Sequence, residues 1–191
     1  MPETTPWGTV QTVETVARGL RWVFTAGHGG VVVSPTRMAA MPAALRAVGD
    51  VGRRHSGRAG YGYYEEDCDW AAAALAFLDD FAAADRRGRA ELETDARTLL
   101  ADWHPDSYEA HFGVELGPGA SRVKDERAFF AAHRDDHVAV AAVGNDDGTV
   151  TVTAERPRDG ERRIYRVDRD EYRSCPLHHF VIDASRHPTV S

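Results

Sequence analysis

The spacing of apolar and polar residues changes period twice along the chain, from strand-like to helical and back, and each change predicts a change of element. Residues 20–25 (Leu-Arg-Trp-Val-Phe-Thr) and 31–34 (Val-Val-Val-Ser) are short runs rich in β-branched and aromatic side chains, which suit a pleated surface. Between them lie Ala26, Gly27, His28, Gly29 and Gly30, so the pair predicts a hairpin whose turn glycines allow unusual backbone angles. Helical spacing follows. Ser34 suits an N-cap with Pro35 at the first helical position, and Pro42 marks a break or a second start.

From residue 61 to 81 four acids, Glu65, Glu66, Asp67 and Asp69, precede a stretch from Ala71 to Leu78 without a polar side chain. A helix apolar all round is normally buried, whereas clustered carboxylates need solvent or partners. The expectation is a core helix with a charged mouth, Asp67 its N-cap. Its stripes would be Cys68, Ala72, Leu75, Leu78 and Trp70, Ala74, Phe77, Phe81. A second helix is predicted over 90–103, ending before His104-Pro105. A short one follows to Phe112, closed by Gly113, and a third runs from Ser121 to about His133 with Val123, Phe129 and Phe130 facing inward.

Beyond that point the period becomes two. Residues 137–143, 149–154 and 162–167 read as strands, a helical turn fits 168–172, and 180–183 reads as a closing strand. The order predicts an α+β fold: an N-terminal β-hairpin, a helical middle built on a buried helix, and a C-terminal antiparallel β-meander. No linker divides the 191 residues, so a single globular domain is expected, with 1–8 as an extended arm pinned by Trp7. Residues 49–62 combine five glycines with Arg53, Arg54, His55 and Arg58 and no apolar period, which predicts a mobile basic loop.

Composition narrows the classes of function. With 42% hydrophobic and 28% charged residues the chain is an ordinary globular sequence. Its net charge of -7 argues against broad adhesion to nucleic acid or anionic lipid. No run approaches the roughly 18 apolar residues of a membrane span, and the N-terminus lacks the basic-then-apolar order of a signal peptide. A cytoplasmic protein is expected. Cys68 and Cys175 form no C-x-x-C pair, phosphate-cradling loops are missing, and no cofactor is implied.

Candidate chemistry centres on His28 and the acidic run. Four acids exceed what helix capping and the helix dipole require. A recognition surface of His28, Gly29, Gly30, Glu65, Glu66 and Asp69 would take a protein partner. The competing reading is a small hydrolase using His28 with Glu65 and Glu66, or with Cys68, as catalytic candidates. A metal would need His28, Glu65, Glu66 and His179 to converge. Against a nucleophilic Cys68 stand its acidic neighbours, whose charges disfavour a thiolate. If the two runs form one site, the His28 imidazole must come close to the carboxylates of Glu65 and Glu66.

Trp7-Gly8, the run Thr25-Ala26-Gly27-His28-Gly29-Gly30, Met41-Pro42, the run Tyr64-Glu65-Glu66-Asp67-Cys68-Asp69-Trp70 and Gly117-Pro118-Gly119 resemble an uncharacterised bacterial domain family associated with plasmids and other mobile elements. The resemblance extends from about Trp7 to His187. It assigns no activity, ligand or catalytic residue, and implies a setting in which an accessory protein, such as an antirestriction or anti-defence factor, acts by binding.

Overall fold

The computed structural model describes residues 3–51, 59–86, 88–175 and 179–190. By their contacts they divide into two compact units, Met1–Lys124 and Asp125–Ser191. The order of elements is the expected α+β one: antiparallel strands first, helices in the middle, a three-stranded antiparallel sheet last.

The first unit opens with two short strands, β1 (Thr4–Thr5) and β2 (Gly8–Thr9), paired antiparallel. Where an extended arm was expected, the chain folds back on itself, and Trp7 at the bend packs edge-on against Tyr63 at 6.0 Å. Next come β3 (Thr12–Ala17), β4 (Leu20–Phe24) and β5 (Gly29–Val33). Helices α1 (Pro35–Ala40) and α2 (Ala43–Arg46) follow, then β6 (Asp50–Val51) and β7 (Gly62–Glu65). Five of these strands form one sheet in the order β3-β4-β5-β7-β6, all neighbours antiparallel. The predicted hairpin is β4 and β5, and the helix starts at Pro35 and after Pro42 fall as the prolines indicate. Of the expected basic loop, β6 and the first residue of β7 are strand, while 52–58 lie outside the described residues.

Every residue of β5 is buried, because both faces of the sheet are covered. Val31 and Val33 join the main core with Leu20, Leu45 and Tyr64, whereas Val32 packs with Val23 and Tyr63 on the opposite face. A continuous Gly-Gly-Val-Val-Val run is what a strand buried on both faces looks like in sequence. The helices are α3 (Trp70–Ala76), α4 (Leu78–Ala84), α5 (Arg89–Trp103) and α6 (Pro105–Phe112). Ala71, Ala72, Ala73 and Ala74 have no exposed surface at all. This is the expected buried helix, enclosed so closely that alanine fills every side, and it packs on α5.

Three expectations about this stretch need correction. The single helix through Phe81 is two helices, since Phe77 leaves helical geometry (φ −134, ψ 46) and separates α3 from α4. No glycine or proline marks the break. Cys68 precedes the helix, so the stripe that placed it there begins at Ala72 instead. Glu65 belongs to β7, and the N-cap position is Asp69, without a side-chain capping bond, not Asp67. Tyrosines 63 and 64 extend a strand because β5 offers them a partner, a pairing no local pattern encodes.

Helix α7 (Arg122–Ala132) runs across the division between the units. The Lys124 amide donates to the Ser121 hydroxyl, as expected of an N-cap. None of its residues is buried, however, which corrects the inward face expected of Val123, Phe129 and Phe130. In the second unit β8 (Val138–Gly144), β9 (Thr149–Arg156) and β10 (Glu161–Asp168) form the expected meander, followed by α8 (Arg169–Arg173). Along β9 the even-numbered residues from Val150 to Ala154 are buried and the odd-numbered ones half-exposed, as the sequence alternates. The closing strand at 180–183 is reduced to a bridge between Val138 and Val181.

Candidate functional site

The antiparallel register of β5 and β7 sets Gly30 opposite Glu65, Val31 opposite Tyr64 and Val32 opposite Tyr63. Since β5 begins where β7 ends, the glycine-framed histidine and the acidic run arrive at the same end of the sheet. Backbone contacts continue past the strands, with the Glu66 amide donating to the Gly29 carbonyl at 3.2 Å. Close approach here depends on missing side chains. A Cβ on Gly29 would lie 2.6 Å from Glu66 Oε2, and one on Gly30 would lie 2.5 Å from the Trp7 ring and clash with the Tyr64 carbonyl oxygen. These glycines are therefore explained by β7 and Trp7 pressing against them, beyond any role in the turn.

His28 Nδ1 lies 3.9 Å from Glu65 Oε1, an ion-pair distance longer than a hydrogen bond. Donor atoms of His28, Glu65 and Glu66 all fall within 4.8 Å of one another. The imidazole is 63% exposed and the Glu65 side chain 25%. Glu65 is steadied from behind, its carboxylate accepting the Asp67 amide at 2.7 Å, and the turn at His28 is held by the Thr25 hydroxyl donating to the His28 carbonyl at 2.7 Å. His179, the fourth member of the expected metal set, is not in this group; in the C-terminal unit it stacks on Phe129 at 4.3 Å.

Asp69 belongs to a second cluster, one that sequence reasoning missed. His104 stands between α5 and α6, and its Nε2 lies 2.8 Å from Asp69 Oδ1. The same oxygen accepts the Cys68 thiol at 3.3 Å. Burial pushes the thiol up to about 12, with the charge and hydrogen bond of Asp69 and the charges of Glu65 and Asp67 adding to the rise. Cys68 thus keeps its proton, as its acidic neighbours indicated. The arrangement is also the wrong way round for nucleophilic catalysis, because the carboxylate rather than the imidazole receives the thiol proton's hydrogen bond. His104-Pro105 was legible only as a helix end, and the carboxylate it meets is 35 residues away.

Deeper in the unit, burial also raises the Tyr64 phenol above its ordinary range. Its hydroxyl donates to Met41 Sδ at 3.1 Å. It is a core group, beneath the site and not part of it. No helix among the described residues is long and apolar enough to cross a membrane.

Fold and site together define an α+β protein whose main antiparallel sheet presents one exposed imidazole and two carboxylates beside a half-buried thiol, carboxylate and imidazole. The chain belongs to the family described as a domain of unknown function, DUF7007, whose profile matches residues 1–134. The matched span contains both clusters and ends before β8. No curated protein and no solved structure matches the chain.

Proposed function

We propose that this protein is a cytoplasmic, non-catalytic interaction module that recognises a basic segment of a partner protein through His28, Glu65 and Glu66. The observation that carries the reading is the β5–β7 register, which gathers both signature runs at one end of the sheet. Two consecutive carboxylates at the end of β7, held beside the start of β5, give a partly solvated anionic pair, and arginine offers the planar donor fork that such a pair accepts. The exposed imidazole beside them has the apolar body and polar tip of an interface residue. The chain's net negative charge steers basic partners toward it. The family resemblance adds a mobile-element setting, where an anti-defence or antirestriction factor acting by binding would fit.

The test is recovery of partners on immobilised wild type against the Glu65→Lys/Glu66→Lys variant, with circular dichroism to verify folding. Loss of a partner seen with wild type is expected. Equal recovery of every partner would remove the acidic end from the function. A metal-assisted hydrolase is the second reading, favoured by the 4.8 Å spacing of His28, Glu65 and Glu66. It predicts a stoichiometric metal that disappears in His28→Ala. The thiol-dependent version has little support, given the protonated state of Cys68.

A further inference from the structure

We propose that Cys68, Asp69 and His104 form a binding site for a thiophilic divalent ion of the zinc class, with three protein donors and a fourth position open to water or a ligand. Three observations carry it. The donors are chemically different, a sulfur, a carboxylate oxygen and an imidazole nitrogen, and all lie within 4.8 Å of one another. Tetrahedral zinc with ordinary bond lengths separates such donors by about 3.3–3.6 Å. The sulfur already stands 3.3 Å and the imidazole nitrogen 2.8 Å from Asp69 Oδ1, so small side-chain movements suffice.

The donors also come from fixed backbone. Asp69 is the residue from which α3 starts, with the Ala72 amide donating to its carbonyl at 3.0 Å. His104 is locked at the junction of two helices, its amide donating to the Leu100 carbonyl and its carbonyl accepting from the Tyr108 amide. Helix α3 packs on α5, which fixes the separation of the two carriers, as a competent site requires. Partial burial is the third point: the His104 and Asp69 side chains are 26% and 22% exposed, leaving access from one side. Glu65 and Asp67 add negative charge around the sulfur, which a dication would offset.

The donor set selects the ion. Sulfur with imidazole favours zinc-class metals, whereas the more exposed, sulfur-free set of His28, Glu65 and Glu66 is the harder one. On binding, the Cys68 proton passes to solvent as the sulfur–metal bond forms. His104 exchanges through solvent the Nε2 proton that faces Asp69 Oδ1 in the metal-free protein for one on Nδ1, so that its Nε2 lone pair faces the metal. This inference stands apart from the recognition reading and does not depend on it.

The experiment is titration of the full chain with Co²⁺, followed by thiolate-to-cobalt charge-transfer absorption and by the intense visible bands of tetrahedral cobalt. One Co²⁺ per chain with both signatures is expected, displaced by Zn²⁺. Cys68→Ser should lose the sulfur band, His104→Asn should weaken binding by more than about tenfold, and Cys175→Ser and Glu65→Gln/Glu66→Gln should keep both signatures. Because His104 also sits at a helix junction, unaltered protein supplies a second readout. In wild type, Zn²⁺ should slow alkylation of Cys68 relative to Cys175, as mapped by mass spectrometry. A cobalt spectrum without a sulfur band, a band that survives Cys68→Ser, or Cys68 alkylation indifferent to Zn²⁺ would each overturn the proposal.

Discussion

The two units of this chain are held together in different ways. In the N-terminal unit the main strands and α3 are enclosed, and backbone comes so close to side chains that glycine is required. A Cβ on Gly49 would lie 2.5 Å from the Tyr64 ring, and Gly29 and Gly30 are similarly blocked. In the C-terminal unit β9 alternates, and its wet face carries ion pairs such as Arg162–Glu155, while Arg163–Glu161 closes the exposed end of β10. The first unit depends on close packing, which tolerates little change. The second depends on alternation and charge, which tolerate more. Both candidate clusters sit in the first, where rigid elements can fix side chains within fractions of an ångström.

The largest expected effects test whether that difference extends to independent stability. Leu100 is fully buried in the N-terminal core, and Val152 is fully buried in the meander. Leu100→Ala should cost about 2–5 kcal/mol and Val152→Ala about 2 kcal/mol, measured by chemical denaturation. The C-terminal unit has roughly 70 residues and a small core, a size at which a core alone seldom supplies more than about 3–5 kcal/mol. A single cooperative transition, moved by both substitutions, is therefore expected of a single domain. Two transitions, each moved by one substitution alone, would break that expectation.

Next in size is the glycine contact itself. Gly30→Ala drives a methyl into the Trp7 ring and the Tyr64 carbonyl, forcing β5 and β7 apart at a cost of about 1–3 kcal/mol, occasionally more. It should also separate His28 from Glu65, and so weaken partner recovery even in protein that remains folded. The control is Gly160→Ala in the C-terminal unit, where φ is +72 but no atom lies within 4 Å. That variant pays only the conformational cost of a positive φ, about 1 kcal/mol. Equal losses at both sites would show that close packing is not what distinguishes the first unit.

How far each unit could be read from sequence follows from the same contrast. Alternation is local, so Thr149-Val150-Thr151-Val152-Thr153 announced its strand and its buried side directly. The hairpin of β4 and β5 and the helices α5 and α6 carried equally local signals in β-branched runs, prolines and Gly113. The seventh strand was not readable. Tyr63 and Tyr64 become a strand only because β5 lies alongside, and the acids after them then look like a helix mouth. The candidate site was half legible for the same reason. His28, Glu65 and Glu66 stood out as residue types, and their meeting depended on a register set by residues between them. His104 gave no chemical signal, since its partner Asp69 is reached only when α3 packs on α5.

A pH titration sharpens the comparison from another side. In the C-terminal unit, hydrogen bonds from Arg156 and the Glu161 amide hold the Asp159 carboxyl well below its usual range; Arg163 lowers Glu161, and Thr149 lowers Asp147. A lowered carboxyl contributes stability that is present above its unfolded value near 4 and is lost as pH falls. Cys68 behaves oppositely, since its folded value of about 12 exceeds the ordinary 9.0. Its contribution is complete below pH 9 and is lost between 9 and 12. The N-terminal unit holds a lowered carboxyl as well, Glu109 beside Lys124, but the meander carries three, so acid should loosen it first, and hydrogen exchange at low pH should show it in β9 and β10 before β5. Asp69→Asn should let Cys68 react with iodoacetamide at lower pH than in wild type. An unchanged pH profile would mean that Asp69 does not govern the thiol.

The smallest effects concern two surface arginines. Arg97 forms an i,i+4 pair with Glu93 at 2.8 Å and lies 4.1 Å over the Phe112 ring, whereas Arg162, 68% exposed, meets Glu155 across the β9–β10 ladder. Exposed pairs of either kind contribute about 0.2–1 kcal/mol, and stacking over an aromatic face adds roughly 0.5–1 kcal/mol. Arg97→Ala should thus cost more than Arg162→Ala. The two should also respond differently to salt. The Arg162 contribution should fade as ionic strength rises, because a solvent-exposed pair is screened, while the part of the Arg97 contribution that comes from contact with Phe112 should persist. Arg97→Lys separates the two components, since it retains the charge and gives up the planar stacking group. If both arginines proved equally salt-sensitive, the surface of the first unit would rest on charge as the meander does, and the contrast in packing would be confined to the core.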